Sequence, residues 1–158
     1  MQEFDQRQFR DALAQFATGV TIITAAGRDG PVGMTVNSFS SVSLDPPLIL
    51  WSIAKDSDRF SAFEQSPYFC VHVLRAEDEA LAMRFAANGI DFSGLAFGLG
   101  SGDIPLLAGF AARFECRVAA RHEGGDHVIL VGEVERIDHE KAQPLVFHGG
   151  RFGQFAAC

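Results

Sequence analysis

Three short stretches hold most of the side chains able to do chemistry: GMTVNSFSSVSLDPP at 33–47, AKDSDRF at 54–60 and GGDH at 124–127. In the first, Thr35, Asn37, Ser38, Ser40 and Ser41 alternate with or flank the apolar Met34, Val36 and Phe39, and no charged residue occurs from Gly33 through Leu44. An ordinary half-buried strand carries Lys, Glu or Thr on its wet face. A rim of small neutral hydroxyls and one amide suits a ligand edge of fixed donors and acceptors; turn and strand-edge roles use the same residue types. In the second, Lys55 and Ser57 stand beside a predicted helix start. Free backbone N–H groups with a lysine alongside suit a phosphate, against the plainer reading of a capped helix with a surface lysine. In the third, His127 follows a Gly-Gly turn, where a lone histidine is either a surface residue or a contact to a ligand.

Other chemistries find no support. There is no G-x-S-x-G, no H-E-x-x-H and no spaced Cys/His set. The histidines at 72, 122, 127, 139 and 148 lack metal-ligand spacing, so no metal is expected. His72 alternates within a strand and reads as a satisfied structural histidine. GLGSG at 98–102 does not follow a strand to open a helix, and is no dinucleotide fingerprint.

The elements that must position these residues follow from periodicity. Residues 5–17 read as a helix capped by Asp5 and Gln8, with Phe9, Ala12, Leu13 and Phe16 at helical spacing. VTIITAA (20–26) and residues 32–39 form the arms of a hairpin around GRDGP. Asp45-Pro46-Pro47 breaks the chain before a buried strand, LILWSIA (48–54). A short helix over 57–65 takes Ser57 or Asp58 as its cap. YFCVHVL (68–74) is a strand, and 77–89 a helix that Asn88-Gly89 ends. Residues 90–110 are Gly-rich and aperiodic, predicting a long loop. Residues 113–121 and 127–137 are long strands around a turn at 123–126, and PLVFHGGRFGQF closes the chain as a last short strand. Six or seven strands and three helices, without β-α-β alternation, predict a mainly β protein: an antiparallel β-barrel with peripheral helices.

Bulk properties agree. The 158 residues fit one domain, 1–158, with a core of its own. Fifteen Phe against one Trp and one Tyr predict a Phe-rich core, a large apolar interface, or both. A net charge of −7 without a Lys/Arg cluster argues against nucleic acid and anionic membrane as partners. An anionic ligand must therefore be held locally, and Lys55 is one of only two lysines. No apolar run is long enough to span a membrane, the N-terminus is not a signal peptide, and Cys70, Cys116 and Cys158 lack CxxC spacing, so a reducing, cytoplasmic setting is expected.

FATGVTIIT (16–24), GMTVNSFSSVSLDPPLI (33–49), AKDS (54–57), RFA (84–86), GDHVILVGEVE (125–135) and HGGRFGQF (148–155) occur in one order. In this the chain resembles the flavin reductase family, the small NAD(P)H:flavin oxidoreductases that supply reduced flavin to two-component monooxygenases. The resemblance runs from about residue 9 to 155 and is weak over 90–110. It implies a Greek-key split β-barrel of FMN-binding type, a homodimer, FMN or FAD near the subunit interface, NADH or NADPH as hydride donor, and a separate oxygenase component. It further implies that Met34, Thr35, Val36, Asn37 and Ser38 meet the flavin's polar edge, and that Ser40, Ser41, Lys55 and Ser57 lie near its phosphate, with Arg84 and Phe85 as further contacts. His127 then becomes the catalytic-site contact that orients the nicotinamide carboxamide, and Phe152 and Arg151 meet the dinucleotide's rings and pyrophosphate. Phe152 stands where the family often has Tyr, and Arg121 and Arg151 are the charges able to read a ribose 2′-phosphate.

Two other readings use the same residues. A non-catalytic flavin-binding electron carrier would keep the 35–41 rim and the phosphate site but have no need of His127. A barrel for another apolar ligand would have no need of Lys55 and Ser57.

Overall fold

The computed structural model describes residues 3–158. Helix α1 (Gln6–Leu13) begins with the expected capping box: the Asp5 carboxylate accepts from the Gln8 N–H, and the Gln8 side chain accepts from the Asp5 N–H. Its apolar face turns outward and does not enter the core. Phe4, Phe9, Leu13 and Phe16 are all exposed. The chain next forms β1 (Thr18–Gly19), part of a small separate sheet, so the helix is held at the periphery.

β2 (Thr21–Gly27) and β3 (Gly30–Val36) form the predicted hairpin, turning through Arg28-Asp29 with Gly30 at φ 137°. β3 stops at Val36, three residues short of the expected end, because residues 37–39 leave the ladder. β4 (Ser40–Leu44) and β5 (Pro47–Ala54) follow, then α2 (Phe60–Gln65), β6 (Tyr68–Val73), a 3₁₀ turn at Ala76–Asp78 and α3 (Glu79–Ala87). α2 starts three residues later than predicted and has no side-chain cap; the Ser57 hydroxyl instead accepts from the Arg59 N–H at 3.2 Å.

Residues 90–110 are not a bare loop. They contain a hairpin, β7 (Phe97–Leu99) and β8 (Pro105–Leu107), too short to leave a periodic signal. β9 (Ala112–Gly124) and β10 (His127–His139) are the two long strands around Gly125-Asp126. The C-terminal segment, expected as one strand, is a hairpin of β11 (Leu145–His148) and β12 (Arg151–Gln154). Its turn is Gly149-Gly150, with φ 58° and 77°, the left-handed pair that a two-residue hairpin turn requires.

The main sheet is fully antiparallel in the order β3-β2-β6-β9-β10-β5-β4. Its two edges, β3 and β4, are consecutive in the chain and joined by residues 37–39. One face gathers Ile23, Ile49, Trp51, Ile53, Phe69 and Leu130 into a core where the Trp51 ring meets Phe63 and Phe69 edge-on at 5.0 and 5.9 Å. A second cluster, with Ile22, Leu74, Ala82, Phe85 and Leu107, lies under α3 and the β7–β8 hairpin. Strict alternation along β5 puts Ile49, Trp51 and Ile53 inside and leaves Leu48, Leu50, Ser52 and Ala54 half-buried on the other face.

His72 holds the β7–β8 hairpin to the sheet. It is wholly buried, Nδ1 lies 3.2 Å from the Ile22 carbonyl, and Nε2 accepts from the Leu107 N–H at 3.0 Å. That pairing makes Nδ1 the protonated nitrogen. The neighbouring Thr24 hydroxyl donates to the Pro105 carbonyl at 2.5 Å. The expected structural role of His72 is what the structure shows.

Candidate functional site

The opening stretch acts as a connector before it can act as a rim. The Ser38 hydroxyl donates to the Ser52 carbonyl at 3.2 Å and accepts from the Ser52 N–H at 3.0 Å. With Ser40 opposite Leu50 in the β4–β5 ladder, Ser38 stands where the next rung would be and replaces it with a side chain. The Thr35 hydroxyl donates to the Ala82 carbonyl of α3 at 2.6 Å. The Ser38 and Thr35 hydroxyls are therefore committed to the fold. Asn37, Ser40 and Ser41 are exposed; the Ser40 hydroxyl donates to the Ser41 carbonyl at 3.2 Å, which leaves the Asn37 amide and the Ser41 hydroxyl as the neutral groups without a partner among the described residues.

A cleft of about 610 Å³ opens beside them, lined by Phe16, Thr18, Gly19, Thr21, Val73 and the segment Asn37–Ser40. Ala17 completes the wall, and no lining residue is charged. The volume is in the range of small-molecule sites. The Thr18 Oγ1 is buried there without a hydrogen-bond partner, a group that a polar ligand edge would satisfy. An apolar wall with an amide, hydroxyls and backbone groups at one side fits a flat aromatic ring with a polar margin.

β5 joins this cleft to the GDH turn. Ser52, held by Ser38, lies opposite Ile129, and two residues on Ala54 lies opposite His127. The His127 Nδ1 is 2.7 Å from the Asp126 carboxylate, so Nδ1–H donates and Nε2 is the nitrogen offered to a ligand. Asp126 is held below the usual carboxylate range by that hydrogen bond first, then by the charge on His127, with Lys55 adding to it. Lys55 follows Ala54 directly. Its N–H donates to the Asp126 carbonyl at 2.9 Å, and its ammonium pairs with Glu123.

Other expected residues fall elsewhere. Phe85 is wholly buried, 4.8 Å from the Phe92 ring and against Gly33, so it belongs to the core and is not a ring contact for a ligand. Met34 and Val36 are half-buried and pack against the main core. Arg84 donates to the Ser93 carbonyl at 2.9 Å and lies 3.9 Å from Asp91. Arg151 is exposed at the β11–β12 turn, and Phe152 is half-buried with its ring 5.4 Å from Phe147. That hairpin meets α1 through the bond from the Gly149 N–H to the Ala14 carbonyl, placing it beside Phe16 and the cleft. Among the described residues no group of three or more His, Cys, Asp or Glu side chains gathers as a metal site.

Sequence reasoning left Thr18, Thr21, Glu123 and Asp126 unassigned. The first two lie in FATGVTIIT, next to a β-branched run that reads simply as a strand start. The acids flank a Gly-Gly pair, and a turn of that kind commonly carries surface charge.

The chain is thus a mainly antiparallel β protein with an uncharged cleft of small-molecule size beside the segment that joins its two edge strands. The chain belongs to the family described as flavin reductase like domain, whose profile it matches over residues 13–156. It is 52% identical over 152 residues to the FMN reductase (NADH) SmoA of Agrobacterium fabrum, covering 96% of this chain and 87% of that one. It is 38% identical over 154 residues to the reductase subunit HsaB of a flavin-dependent monooxygenase from Mycobacterium tuberculosis, covering 95% and 82%. Among solved structures it superposes on the NADH:FAD oxidoreductase SgcE6 of Streptomyces globisporus, in complex with NAD and FAD fragments, with a TM-score of 0.89 at 40% identity, covering 99% and 98%.

Proposed function

We propose that this protein reduces FMN or FAD with NADH or NADPH and passes the reduced flavin to a separate monooxygenase. The observation that carries the reading is the continuity from the uncharged cleft at Asn37–Ser40, through Ser38 and β5, to His127. The relatives named as NADH-dependent reductases of FMN and of FAD, and as a monooxygenase reductase subunit, support it.

Bound together, the two nucleotides would supply the chemistry, a hydride from the nicotinamide C4 to the flavin N5 that leaves NAD(P)⁺ and the anionic reduced flavin. The chain's own residues bind and orient. Asn37, Ser40, Ser41 and the backbone of 34–38 satisfy the flavin's polar margin without a charge that would repel its anionic reduced form. Lys55 and Ser57 hold the phosphate, with Arg84 at the periphery. The Nε2 of His127, its tautomer set by Asp126, orients the carboxamide of the nicotinamide. Arg151 and Phe152, on the β11–β12 hairpin that pairs with β1, meet the dinucleotide's pyrophosphate and rings. Holding the two rings at roughly 3–3.5 Å is the principal catalytic contribution.

The seven-stranded sheet, with its edges linked by residues 37–39, is read as a Greek-key split barrel forming a single domain over 1–158. A homodimer is supported by the exposed apolar residues Phe4, Phe9, Leu13 and Phe16 around α1 and Val42 and Leu44 on β4. Among the described residues no helix is long and apolar enough to cross a membrane, and the three free cysteines accord with a reducing, cytoplasmic setting.

The test is nucleotide oxidation followed at 340 nm, with and without FMN and FAD, alongside flavin binding by fluorescence. His127→Ala is expected to retain flavin binding and lose kcat/KM for NAD(P)H about tenfold or more through a raised KM. Tight flavin binding without oxidation of either nucleotide by the unaltered protein would identify an electron carrier instead.

A further inference from the structure

The turn between β9 and β10 offers two carboxylates to the proposed site, and each is already engaged. Asp126 holds His127, and Glu123 holds Lys55. The second pairing is unexpected for a phosphate-binding lysine. Lys55 is one of two lysines in the chain, and it sits at the end of β5 with its N–H fixed to the Asp126 carbonyl. Its ammonium therefore reaches either a phosphate in the site or the carboxylate of Glu123, and it cannot fully serve both.

We propose that Glu123 is an internal competitor for Lys55 that weakens the binding of phosphorylated flavins and so speeds their exchange. The inference rests on the reading of Lys55 as a phosphate contact. Glu123 immediately precedes Gly124-Gly125, and it shares its corner with Arg121, His122, Glu64 and Phe60, which line a small cavity of about 120 Å³ with it. Arg121 does not take over its neutralisation, since its guanidinium donates to the Ser66 carbonyl at 2.9 Å. Glu64 lines the same cavity as Glu123 and adds further negative charge there, and Asp126 also feels the lysine, its carboxyl lowered in part by that charge. An anion arriving at Lys55 must displace Glu123 in the presence of both neighbouring acids.

The pair is solvent-exposed, 39% for the Lys55 side chain and 79% for that of Glu123, so the competition is modest and easily reversed. An exposed ion pair shifts an equilibrium by roughly 1.4- to 5-fold. That scale gives a device for tuning exchange, not an on–off switch.

The experiment is a fluorescence titration with FMN and with riboflavin, which has the same ring and no phosphate. It is run on the full-length protein and on the Glu123→Gln, Lys55→Gln and doubly substituted variants. Glu123→Gln is expected to bind FMN about two- to fivefold more tightly and riboflavin unchanged, with the gain diminishing in high salt. In the Lys55→Gln background the Glu123→Gln gain should vanish. If Lys55→Gln leaves FMN affinity unaltered, the phosphate reading of Lys55 is itself wrong. If Lys55→Gln weakens FMN binding while Glu123→Gln leaves it unchanged, or tightens riboflavin equally, the competitor role is overturned and the phosphate reading survives.

Discussion

Acidification should release the β7–β8 hairpin through a single histidine. His72 is wholly buried, and burial pushes its pKa down to about 3, partly offset by the bond to the Ile22 carbonyl, while the charge of Arg113 lowers it further. In the unfolded chain the same imidazole titrates at an ordinary value near 6.5. Between those values the unfolded state binds the proton and the folded state does not, so stability rises with pH through this window and is lost as pH falls. The loss is about 1.4 kcal/mol for each pH unit below about 6.5, or about 2 kcal/mol on going from about pH 7 to about pH 5. Structurally, a proton on Nε2 would face the Leu107 N–H that it now accepts from. Carboxylates also contribute to acid sensitivity, so the assay compares urea unfolding of the unaltered protein with His72→Leu across this range. At neutral pH the variant should be less stable by about 1–3 kcal/mol, since the Leu107 N–H loses its acceptor. The gap should close by about 2 kcal/mol towards pH 5, because Leu does not titrate. A gap that stays constant from pH 7 to pH 5 would refute the reasoning.

Two further outcomes follow from burial. Gly33→Ala places a Cβ 2.6 Å from the Phe85 ring, which Phe92 holds in place, so it should cost about 1–3 kcal/mol and lower Tm by about 2–4 °C per kcal/mol in a thermal melt. Gly98→Ala, with nothing within 4 Å, is the matched control and should leave Tm nearly unchanged. Burial raises the Cys70 thiol well above its ordinary range and pushes Cys116 up to about 12, whereas Cys158 is exposed. A chromogenic disulfide reagent should therefore label about one thiol quickly in the native protein and all three in denaturant; two fast thiols would contradict the buried placement.

Six of the seven strands of the main sheet were legible as apolar or β-branched runs; β4 (Ser40–Leu44) was not, because SSVSL has only Val42 and Leu44 as apolar residues among its serines. VTIITAA, LILWSIA and YFCVHVL are rich in β-branched, aliphatic and aromatic residues, and 127–137 opens on the apolar run Val128–Val131. The α1 capping box was equally local, needing only Asp5 and Gln8 three residues apart. What local pattern could not report was which apolar faces meet. The stripe of Phe9, Leu13 and Phe16 has the spacing of a core-facing helix, yet it lies outside, because the attachments of β1 and of the Gly149 turn leave the helix at the periphery. The last hairpin was missed although Gly149-Gly150 signalled it, since its arms of four residues each are shorter than a clear alternation.

For the site, the sequence by itself determined the chemistry available: an uncharged hydrogen-bonding segment, one well-placed lysine, and a histidine after a glycine turn. The tertiary structure decided how those groups are spent. It turned the Ser38 hydroxyl into a rung of the β4–β5 ladder, gave that of Thr35 to α3, and moved Phe85 into the core. It also brought Ser52, Ala54, Lys55 and His127 to one end of β5, and set Glu123 on the lysine. Residue type fixes what a side chain can donate or accept, whereas its availability depends on partners some 14 to 70 positions away in the chain, which only the register of the sheet brings within reach.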